Sequence, residues 1–386
     1  MWALMLLGIA LSAHAVLIAW LRRLVGGSRT TTLALAAGAL VLTLALFAPR
    51  EYFGYTSFEL FVVAVGASLY VGLVVAITLF GKLRSRVRSK PALDTPKDDA
   101  KEPAQGEAKE GRRETLIKLA GAASWATSIG VVGWGAVRGR HDFELTEVPV
   151  RIEGLPRALD GYVIVQVSDL HGGTFVGEAD LNRGFELVRQ ARPDLLVATG
   201  DLVDFDPGFA PMIASRLADV AARDGAFAVL GNHDHYADAP AVLDALARAR
   251  ITALVDDARI LRAGDGGGFA LLGTNDLSAP RFGGRAPDLG RALAAAHPDR
   301  PRILLAHQPR QFDEAAGKIA LQLSGHTHGM QFDFAASAFR IARRYVAGRY
   351  DKDGSVLWVN RGFGVTGPPS RVGVRPEITK IVLVSA

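Results

Sequence analysis

Five short motifs in the chain carry the side-chain types that bind metal ions. They contribute Asp169, His171, Asp201, Asp204, Asn232, His233, His307, His326 and His328. Carboxylates, imidazoles and an amide suit Mn, Fe or Zn better than copper or an iron–sulfur cluster. Because the chain has no cysteine, thiolate ligands and disulfides are excluded. The motifs therefore predict a centre for divalent cations that is built from oxygen and nitrogen ligands.

Each motif directly follows a short apolar run that is typical of a strand. The runs end at Val167, Ala198, Leu230, Ala306 and Leu323. Segments with helical spacing lie between several of them, over 179–192, 212–223 and 239–250. This alternation predicts an α/β domain of βαβ units, in which sites form beyond the carboxyl ends of parallel strands. Five loops that are distant in the sequence could therefore build a single site.

The spacing inside the motifs fits the same interpretation. Asp169 and His171 are two residues apart, and the last two histidines of the set have the same spacing. If extended geometry continued through such a pair, both side chains would point to the same side and could hold one ion. Gly200 precedes Asp201 and allows the backbone to turn sharply there.

The ordered set of motifs resembles the calcineurin-like metallophosphoesterases, and in particular their bacterial membrane-attached branch. The resemblance covers about residues 145–384 and implies that 141–386 form a four-layer α/β/β/α sandwich that binds two divalent cations. It also implies a role for each ligand. Asp169, His171 and His328 would hold one cation, Asp201 would bridge both, and Asn232, His307 and His326 would complete the second site.

The same resemblance implies that the chain is a metal-dependent phosphoester hydrolase. A hydroxide that bridges the two cations would attack phosphorus. His233, oriented by Asp204, would protonate the leaving group or neutralise charge in the transition state. A phosphodiester is favoured over a monoester, and a membrane attachment suggests a lipid-linked or UDP-diacylglucosamine-like substrate. The alternative is a metal-binding scaffold or sensor at the membrane without turnover. The presence of both His233 and Asp204 argues against that alternative.

Four further residues near the motifs leave alternatives open. Arg361 is either a contact for a phosphate or head group or a structural arginine. His235 is either a substrate contact or an ordinary loop residue. Asp234 either supports the metal ligands or caps the helix that follows it. Met330 stands where the resembled branch more often has a second glycine, a departure that concerns substrate contacts more than metal binding.

The first third of the chain has the composition of a membrane module. Hydrophobic residues make up 49% of the chain, and the runs 2–21, 31–48 and 58–80 are each close to the roughly 20 residues that cross a bilayer. They predict three transmembrane helices within 1–81. The first run could instead be a signal peptide that ends near Ala15, although no Lys or Arg precedes it. The charged segment 82–115 lacks apolar periodicity and predicts a flexible linker.

The segment 116–138 has two main interpretations. It is either a fourth, weakly hydrophobic span or a twin-arginine-like signal segment that follows Arg112 and Arg113. The distribution of Lys and Arg places the linker in the cytoplasm, so both interpretations put residues 141–386 outside it, in a multi-pass protein of the inner (plasma) membrane. A third arrangement lays the segment on the membrane surface and leaves the enzyme in the cytoplasm. The formal net charge of +5 is explained by this topology, and no nucleic-acid partner is expected.

Overall fold

The computed structural model describes residues 127, 130–173, 175–264, 266–331, 345–366 and 369–386. The chain divides into two compact units, 1–133 and 134–386, and the second contains all five motifs. The predicted spans within 1–81, the linker 82–115 and most of the segment 116–138 lie outside the described residues. Within the described part, every helix is too short or too polar to cross a bilayer.

Two mixed sheets form the centre of the unit 134–386. The first sheet contains β1 (Glu144–Ile152), β2 (Val163–Val167), β3 (Leu195–Thr199), β4 (Ala226–Val229), β5 (Thr252–Ala253) and β12 (Glu377–Ser385). Their order across the sheet is β1-β12-β2-β3-β4-β5. β12 runs parallel to β1 and antiparallel to β2, whereas the strands from β2 to β5 run parallel to one another. The final strand is therefore inserted between the first two.

The second sheet has parallel strands in the middle and an antiparallel pair at each edge. It contains β6 (Asp257–Leu261), β7 (Phe269–Gly273), β8 (Arg302–Leu305), β9 (Leu321–Ser324), β10 (Gly348–Lys352) and β11 (Ser355–Val359). Their order is β10-β11-β9-β8-β7-β6. The pairs β10–β11 and β6–β7 are antiparallel, and the pairs in between are parallel.

Helices connect the strands and cover the sheets. They are α1 (Glu178–Gln190), α2 (Ala210–Ala218), α3 (Asn232–Ala237), α4 (Ala239–Arg248), α5 (Leu289–Ala295) and α6 (Phe312–Ala315). In α1, Leu181, Phe185 and Val188 recur at helical spacing and are buried, because one apolar face packs on the sheet.

Three buried cores show the order of the layers. One core joins the first sheet to α1, α2 and α4, another lies between the two sheets, and the third joins the second sheet to α5 and α6. β2 contributes to two cores, because Ile164 packs between the sheets while Val165 and Val167 pack against the helices. A strand that is buried on both faces is apolar at most positions, which explains the nearly continuous runs in the sequence. The layers agree with the expected α/β/β/α order.

Candidate metal centre

The five motifs lie in loops at the carboxyl ends of β2, β3, β4, β8 and β9. Three of these strands belong to the first sheet and two to the second, and the neighbours within each set are parallel. The structure gathers the motif residues into three overlapping groups, in each of which the ligand atoms of His and Asp lie within 4.8 Å of one another. The two sheets together therefore build one site.

One group consists of Asp169, His171 and His328. The Nε2 atoms of His171 and His328 are 3.0 Å apart, and Nε2 of His328 is 3.3 Å from Oδ1 of Asp169. All three side chains are buried. Two imidazole nitrogens and a carboxylate oxygen converge here, as the ligands of one divalent cation do.

A second group consists of Asp201, His307 and His326. Nε2 of His307 is 3.2 Å from Oδ2 of Asp201 and 3.3 Å from Nδ1 of His326. The side-chain oxygen of Asn232 lies 3.2 Å from the same nitrogen and belongs to this group as well. Oδ2 of Asp201 is also 3.6 Å from Nε2 of His171. Asp201 therefore stands between the two groups, which is the position expected of a bridging ligand.

Most of the predicted ligands have a strained backbone. Positive φ angles occur at Asp169 (52°), His171 (46°), Asp201 (51°), His326 (71°) and His328 (52°). Such angles are uncommon for residues other than glycine, and they concentrate at functional sites. The expectation of extended geometry through the first Asp and His is therefore wrong. β2 ends at Val167, and left-handed turns bring these two side chains together.

Backbone groups of neighbouring loops orient the carboxylates. The N–H of His326 donates to both carboxylate oxygens of Asp169, at 2.9 and 3.0 Å. The N–H of His233 donates to Oδ1 of Asp201 at 2.8 Å. Each carboxylate is thus held by a residue from a different loop, and its position depends on how the loops pack.

The surroundings of His307 show that the site is suited to a cation. Its Nδ1 donates to the backbone oxygen of Thr199 at 2.8 Å, so in the neutral ring the lone pair lies on Nε2 and faces the ligand group. Burial lowers the pKa of His307, but Asp201 outweighs burial and raises this pKa well above its ordinary value. A bound cation would replace the proton that the ring otherwise holds.

Three buried carboxylates at one site also favour the binding of positive charge. Asp169, Asp201 and Asp234 are at most 2% exposed, and burial raises the pKa of Asp169 above its ordinary value. Buried carboxylates are stable only when they are paired, protonated or bound to metals. The residues present therefore fit two divalent cations, one for each ligand group.

His233 lies beside both groups and is held by Asp204. Its Nδ1 donates to the backbone oxygen of Asp204 at 2.9 Å and is 3.1 Å from Oδ1 of the same residue. Its ring meets His171 edge to face at a centroid distance of 4.6 Å, and together with Asp201 these histidines form the third group. Burial lowers the pKa of His233, but Asp204 and Asp201 raise it to about 9. Cations bound nearby would lower that pKa again.

The carboxylate of Asp234 combines both of its alternative roles. Oδ2 accepts from the backbone N–H of Gly231 at 2.8 Å and so caps α3. Oδ1 accepts from the N–H groups of Leu202 and Val203 at 2.9 and 3.1 Å. Burial and the charge of Asp201 raise the pKa of Asp234 to about 7. Asp234 therefore joins α3 to the loop that carries Asp201.

Arg371 is a site residue that the sequence analysis missed. It is only 1% exposed, and its guanidinium donates to the backbone oxygens of Arg361, Gly362 and Gly364. One of its terminal nitrogens lies 3.2 Å from Nδ1 of His328. Burial lowers the pKa of Arg371 to about 9. Arg371 thus fixes a loop that packs directly against a ligand, although no motif or periodicity marks it in the sequence.

Arg361 and His235 are both engaged with other side chains. The guanidinium of Arg361 lies 2.8 Å from the carboxylates of both Glu377 and Glu144, which neutralise it and favour the structural alternative. Nε2 of His235 is 2.9 Å from Oδ1 of Asn275, and the ring is buried. Contact of either residue with substrate stays a prediction.

Met330 has a backbone conformation that favours glycine. Its φ is 71°, which a glycine adopts without strain and other residues seldom adopt. A glycine at this position would therefore relieve the strain that Met330 carries.

The fold and the site define a class, the metal-dependent phosphoesterases with two packed mixed sheets. The profile of the family described as calcineurin-like phosphoesterase matches residues 162–330. An uncharacterized metallophosphoesterase of Bacillus subtilis (strain 168), YkuE, is 31% identical over 291 residues, which cover 72% of this chain and 99% of that protein. The chain belongs to the calcineurin-like metallophosphoesterase family.

Two vertebrate relatives bear the name transmembrane protein with metallophosphoesterase domain. The one from Danio rerio is 34% identical over 263 residues, or 66% of this chain and 60% of that protein. The one from Bos taurus is 31% identical over 287 residues, or 71% of this chain and 64% of that protein. This chain therefore spans less than two-thirds of their length. Among solved structures, NAD nucleotidase of Haemophilus influenzae matches 52% of this chain and 45% of that chain, with a TM-score of 0.36 and 14% identity.

Proposed function

We propose that this chain hydrolyses phosphoesters with two divalent cations. The observation that carries the proposal is the place of Asp201, whose Oδ2 lies 3.6 Å from His171 of one ligand group and 3.2 Å from His307 of the other. Mn, Fe and Zn suit the donor set. One cation would be held by Asp169, His171 and His328, and the other by Asn232, His307 and His326. Both cations would share Asp201 as a ligand.

His233 would act as the proton donor in this reaction. When bound, two such cations activate a water molecule as nucleophile and neutralise the phosphoryl oxygens. Nδ1 of His233 is tied to Asp204, so its opposite ring nitrogen is the one that can face the leaving oxygen. Asp204 thereby fixes both the orientation of the ring and the proton on Nδ1. A positioned general acid contributes about 10²–10⁴-fold to the rate.

The proposed substrate is a phosphodiester rather than a monoester, and a lipid-linked or UDP-diacylglucosamine-like molecule is the candidate. Support comes from the apolar runs within 1–81 and from two relatives that are named as transmembrane proteins. We place the chain in the inner (plasma) membrane as a multi-pass protein, with the unit 134–386 outside the cytoplasm. Lipids are then its immediate surroundings, and no nucleic-acid partner is needed.

The test uses the full-length chain, stripped of metal and reloaded with Mn²⁺. We expect a nitrophenyl phosphodiester to be hydrolysed faster than the matching monoester. Asp201→Asn should lower kcat by about 10²-fold or more, because it removes a charge from both cation sites. His233→Ala should lower kcat by about 10²–10⁴-fold while both cations stay bound. Asp219→Asn, which changes an exposed carboxylate after α2, is the matched control and should keep full activity.

Each contrary result has a distinct meaning. Full activity in Asp201→Asn would contradict the two-cation mechanism. Faster hydrolysis of the monoester would support the hydrolase activity but show that the preferred substrate is a monoester and not a diester. A chain that holds two Mn²⁺ ions yet hydrolyses neither ester would favour the scaffold or sensor alternative.

A further inference from the structure

Three partly exposed aromatic rings line the surface beside His233. Phe205, Tyr236 and Phe282 are 43%, 39% and 49% exposed. The centroids of Phe205 and Tyr236 are 6.4 Å apart, and those of Tyr236 and Phe282 are 4.8 Å apart. The rings therefore form a continuous apolar surface, here called the aromatic strip.

The aromatic strip begins at the proposed proton donor. The ring of His233 lies 4.9 Å from that of Phe205 and 5.0 Å from that of Tyr236, measured between centroids. Phe282 extends the strip away from His233, beyond Tyr236. A group attached to the oxygen that His233 protonates would therefore meet these rings first.

The three rings come from three separate connections. Phe205 follows β3, Tyr236 lies in α3 after β4, and Phe282 follows β7. All three strands also direct their carboxyl ends to the edge at which the ligand motifs lie. A single exposed apolar side chain is ordinary on a protein surface. Several contiguous ones are unfavourable in water, and such patches are typical of binding surfaces.

We propose that the aromatic strip binds an alkyl or acyl chain on the leaving alcohol of the substrate, an inference that rests on the proposed phosphodiesterase function. In the reaction, the oxygen of water bonds to phosphorus and the P–O bond to the alcohol breaks. The alcohol oxygen takes a proton from His233. Water loses a proton when its oxygen bonds to phosphorus, and this proton replaces the one that His233 gave up. The apolar chain leaves the strip with the alcohol.

The angles between the rings favour a flexible chain over a planar group. The rings of Phe205 and Tyr236 are inclined by 18°, but those of Tyr236 and Phe282 are inclined by 56°. One flat ring can stack on only part of such a surface. A hydrocarbon chain can bend along all three rings and remove more apolar area from water.

The experiment compares methyl phosphodiesters whose second alcohol is ethanol, octanol or benzyl alcohol, below any micellar concentration. The full-length chain is loaded with Mn²⁺, and the released alcohol is measured by mass spectrometry. We expect kcat/KM for the octyl ester to exceed that for the ethyl ester by about tenfold or more, because the added methylenes are partly buried on the strip. The octyl ester should also exceed the benzyl ester.

Two variants at Phe282 test the strip itself, and the octyl-to-ethyl ratio of kcat/KM is the readout. Phe282→Ala should reduce this ratio by about fivefold, because it removes the apolar area of the outermost ring. Phe282→Leu keeps an apolar side chain and is the matched control, which should retain most of the ratio. Calorimetric titration with octyl phosphate and ethyl phosphate gives an independent measure of chain binding without turnover.

The outcomes separate the two proposals. Equal rates for the ethyl and octyl esters would overturn the role of the strip and leave the hydrolase intact. Preference for the benzyl ester would contradict the binding of a hydrocarbon chain and indicate that the strip binds a planar group. If no ester is hydrolysed, the proposed function fails. Preferential binding of octyl phosphate that Phe282→Ala abolishes would then still support the strip, and equal binding of both phosphates would overturn it.

Discussion

At the scale of single residues, Asp234 links the geometry of the centre to the backbone that carries it. Its two oxygens accept three backbone hydrogen bonds, from Gly231, Leu202 and Val203. In Asp234→Asn an amide NH₂ replaces one of these oxygens. An NH₂ group cannot accept a hydrogen bond from a backbone N–H. We expect the affinity for Mn²⁺ to fall by about 10–100-fold, as is usual when a group that orients ligands is changed. Titration against a competing chelator measures this.

Asp238→Asn provides the matched control for that variant. Asp238 also accepts a backbone hydrogen bond at the start of a helix, from Ala241 in α4, but it is outside the ligand groups. Asparagine caps helices as well as aspartate does, so the affinity for Mn²⁺ should not change. A loss of folding stability in Asp234→Asn with unaltered affinity would reduce Asp234 to a helix cap.

The candidate ligands could be picked out in the sequence, and their convergence expected, because each is part of a short local motif that follows a strand. Residues that act through distant contacts could not. Arg371 is recognised only when its hydrogen bonds to the loop around Gly362 are known. Glu377, which pairs with Arg361, lies at the start of a strand and resembles any surface carboxylate in the sequence. The sequence left the role of Arg361 open for the same reason, since its partners come from elsewhere in the chain.

At the scale of elements, a glycine allows two strands to meet at the first ligand group. Gly325 follows β9, and a Cβ added there would overlap Oγ of Ser168 and Oδ2 of Asp169. Gly325→Ala must push these loops apart. We expect a loss of about 1–3 kcal/mol in the free energy of unfolding, typical of overpacking, together with fewer than two bound Mn²⁺ ions per chain. Urea denaturation and metal analysis measure the two effects.

Gly264→Ala is the comparison for this prediction, because a Cβ at Gly264 meets no atom within 4 Å and its φ is not positive. It should bind as many Mn²⁺ ions as the natural chain does. If Gly325→Ala also bound both ions, the close approach of the two loops would not be needed for the centre.

Tyr162 lies immediately before β2. Its hydroxyl donates to Oδ2 of Asp224 at 2.6 Å. Burial, and then this hydrogen bond, raise the pKa of Tyr162 above its ordinary value. Tyr162→Phe should therefore lower the free energy of unfolding at pH 7 by about 1.5–3 kcal/mol, the usual contribution of a hydrogen bond to a charged group.

The effect of Tyr162→Phe should shrink as the pH rises. An unfolded tyrosine loses its proton near pH ~10, whereas the folded one keeps it, so the natural chain loses stability above that pH. At pH 11 the difference from the Phe variant should be smaller by about 1.4 kcal/mol. Urea denaturation of both chains at pH 7 and pH 11 checks this. If the difference in free energy of unfolding between the two chains did not depend on pH, the pKa of Tyr162 would not be raised in the folded chain.

Periodicity predicted the central elements well and their ends less well. The helix predicted over 212–223 begins at Ala210 and ends at Ala218, because Val220 is buried in the following turn and imitates a helical position. The helices predicted over 179–192 and 239–250 correspond to α1 and α4. The position of β12 between β1 and β2 is not contained in any local pattern, since pairing order depends on long-range contacts.

At the scale of the whole unit, the centre depends on the seam between the two sheets. His326 and Asp169 come from different sheets and are 157 residues apart in sequence, yet the N–H of one holds the carboxylate of the other. Below them, Nε2 of the buried Gln166 donates to the backbone oxygen of Ser324 at 3.0 Å, which ties β2 to β9. The family resemblance predicted this layering, whereas composition and periodicity alone predicted only an α/β domain.

The orientation of the whole chain in a membrane can be tested with reporter fusions. Basic residues follow the third apolar run, and by the positive-inside rule they predict a cytoplasmic linker over 82–115. Alkaline phosphatase, which needs disulfides and an oxidising compartment, can report the side of each segment. In a bacterial host, we expect a fusion after Arg140 to be active and a fusion after Lys90 to be inactive.

A fusion of a protein that folds only in the cytoplasm, placed at the same two positions, is the control and should give the opposite pattern. If alkaline phosphatase were inactive after both Arg140 and Lys90, the segment 116–138 would not cross the membrane and the metal centre would face the cytoplasm. That result would select the surface-lying arrangement. It would also restrict the substrate to phosphoesters on the cytoplasmic side, because the centre and the aromatic strip belong to the same unit, 134–386.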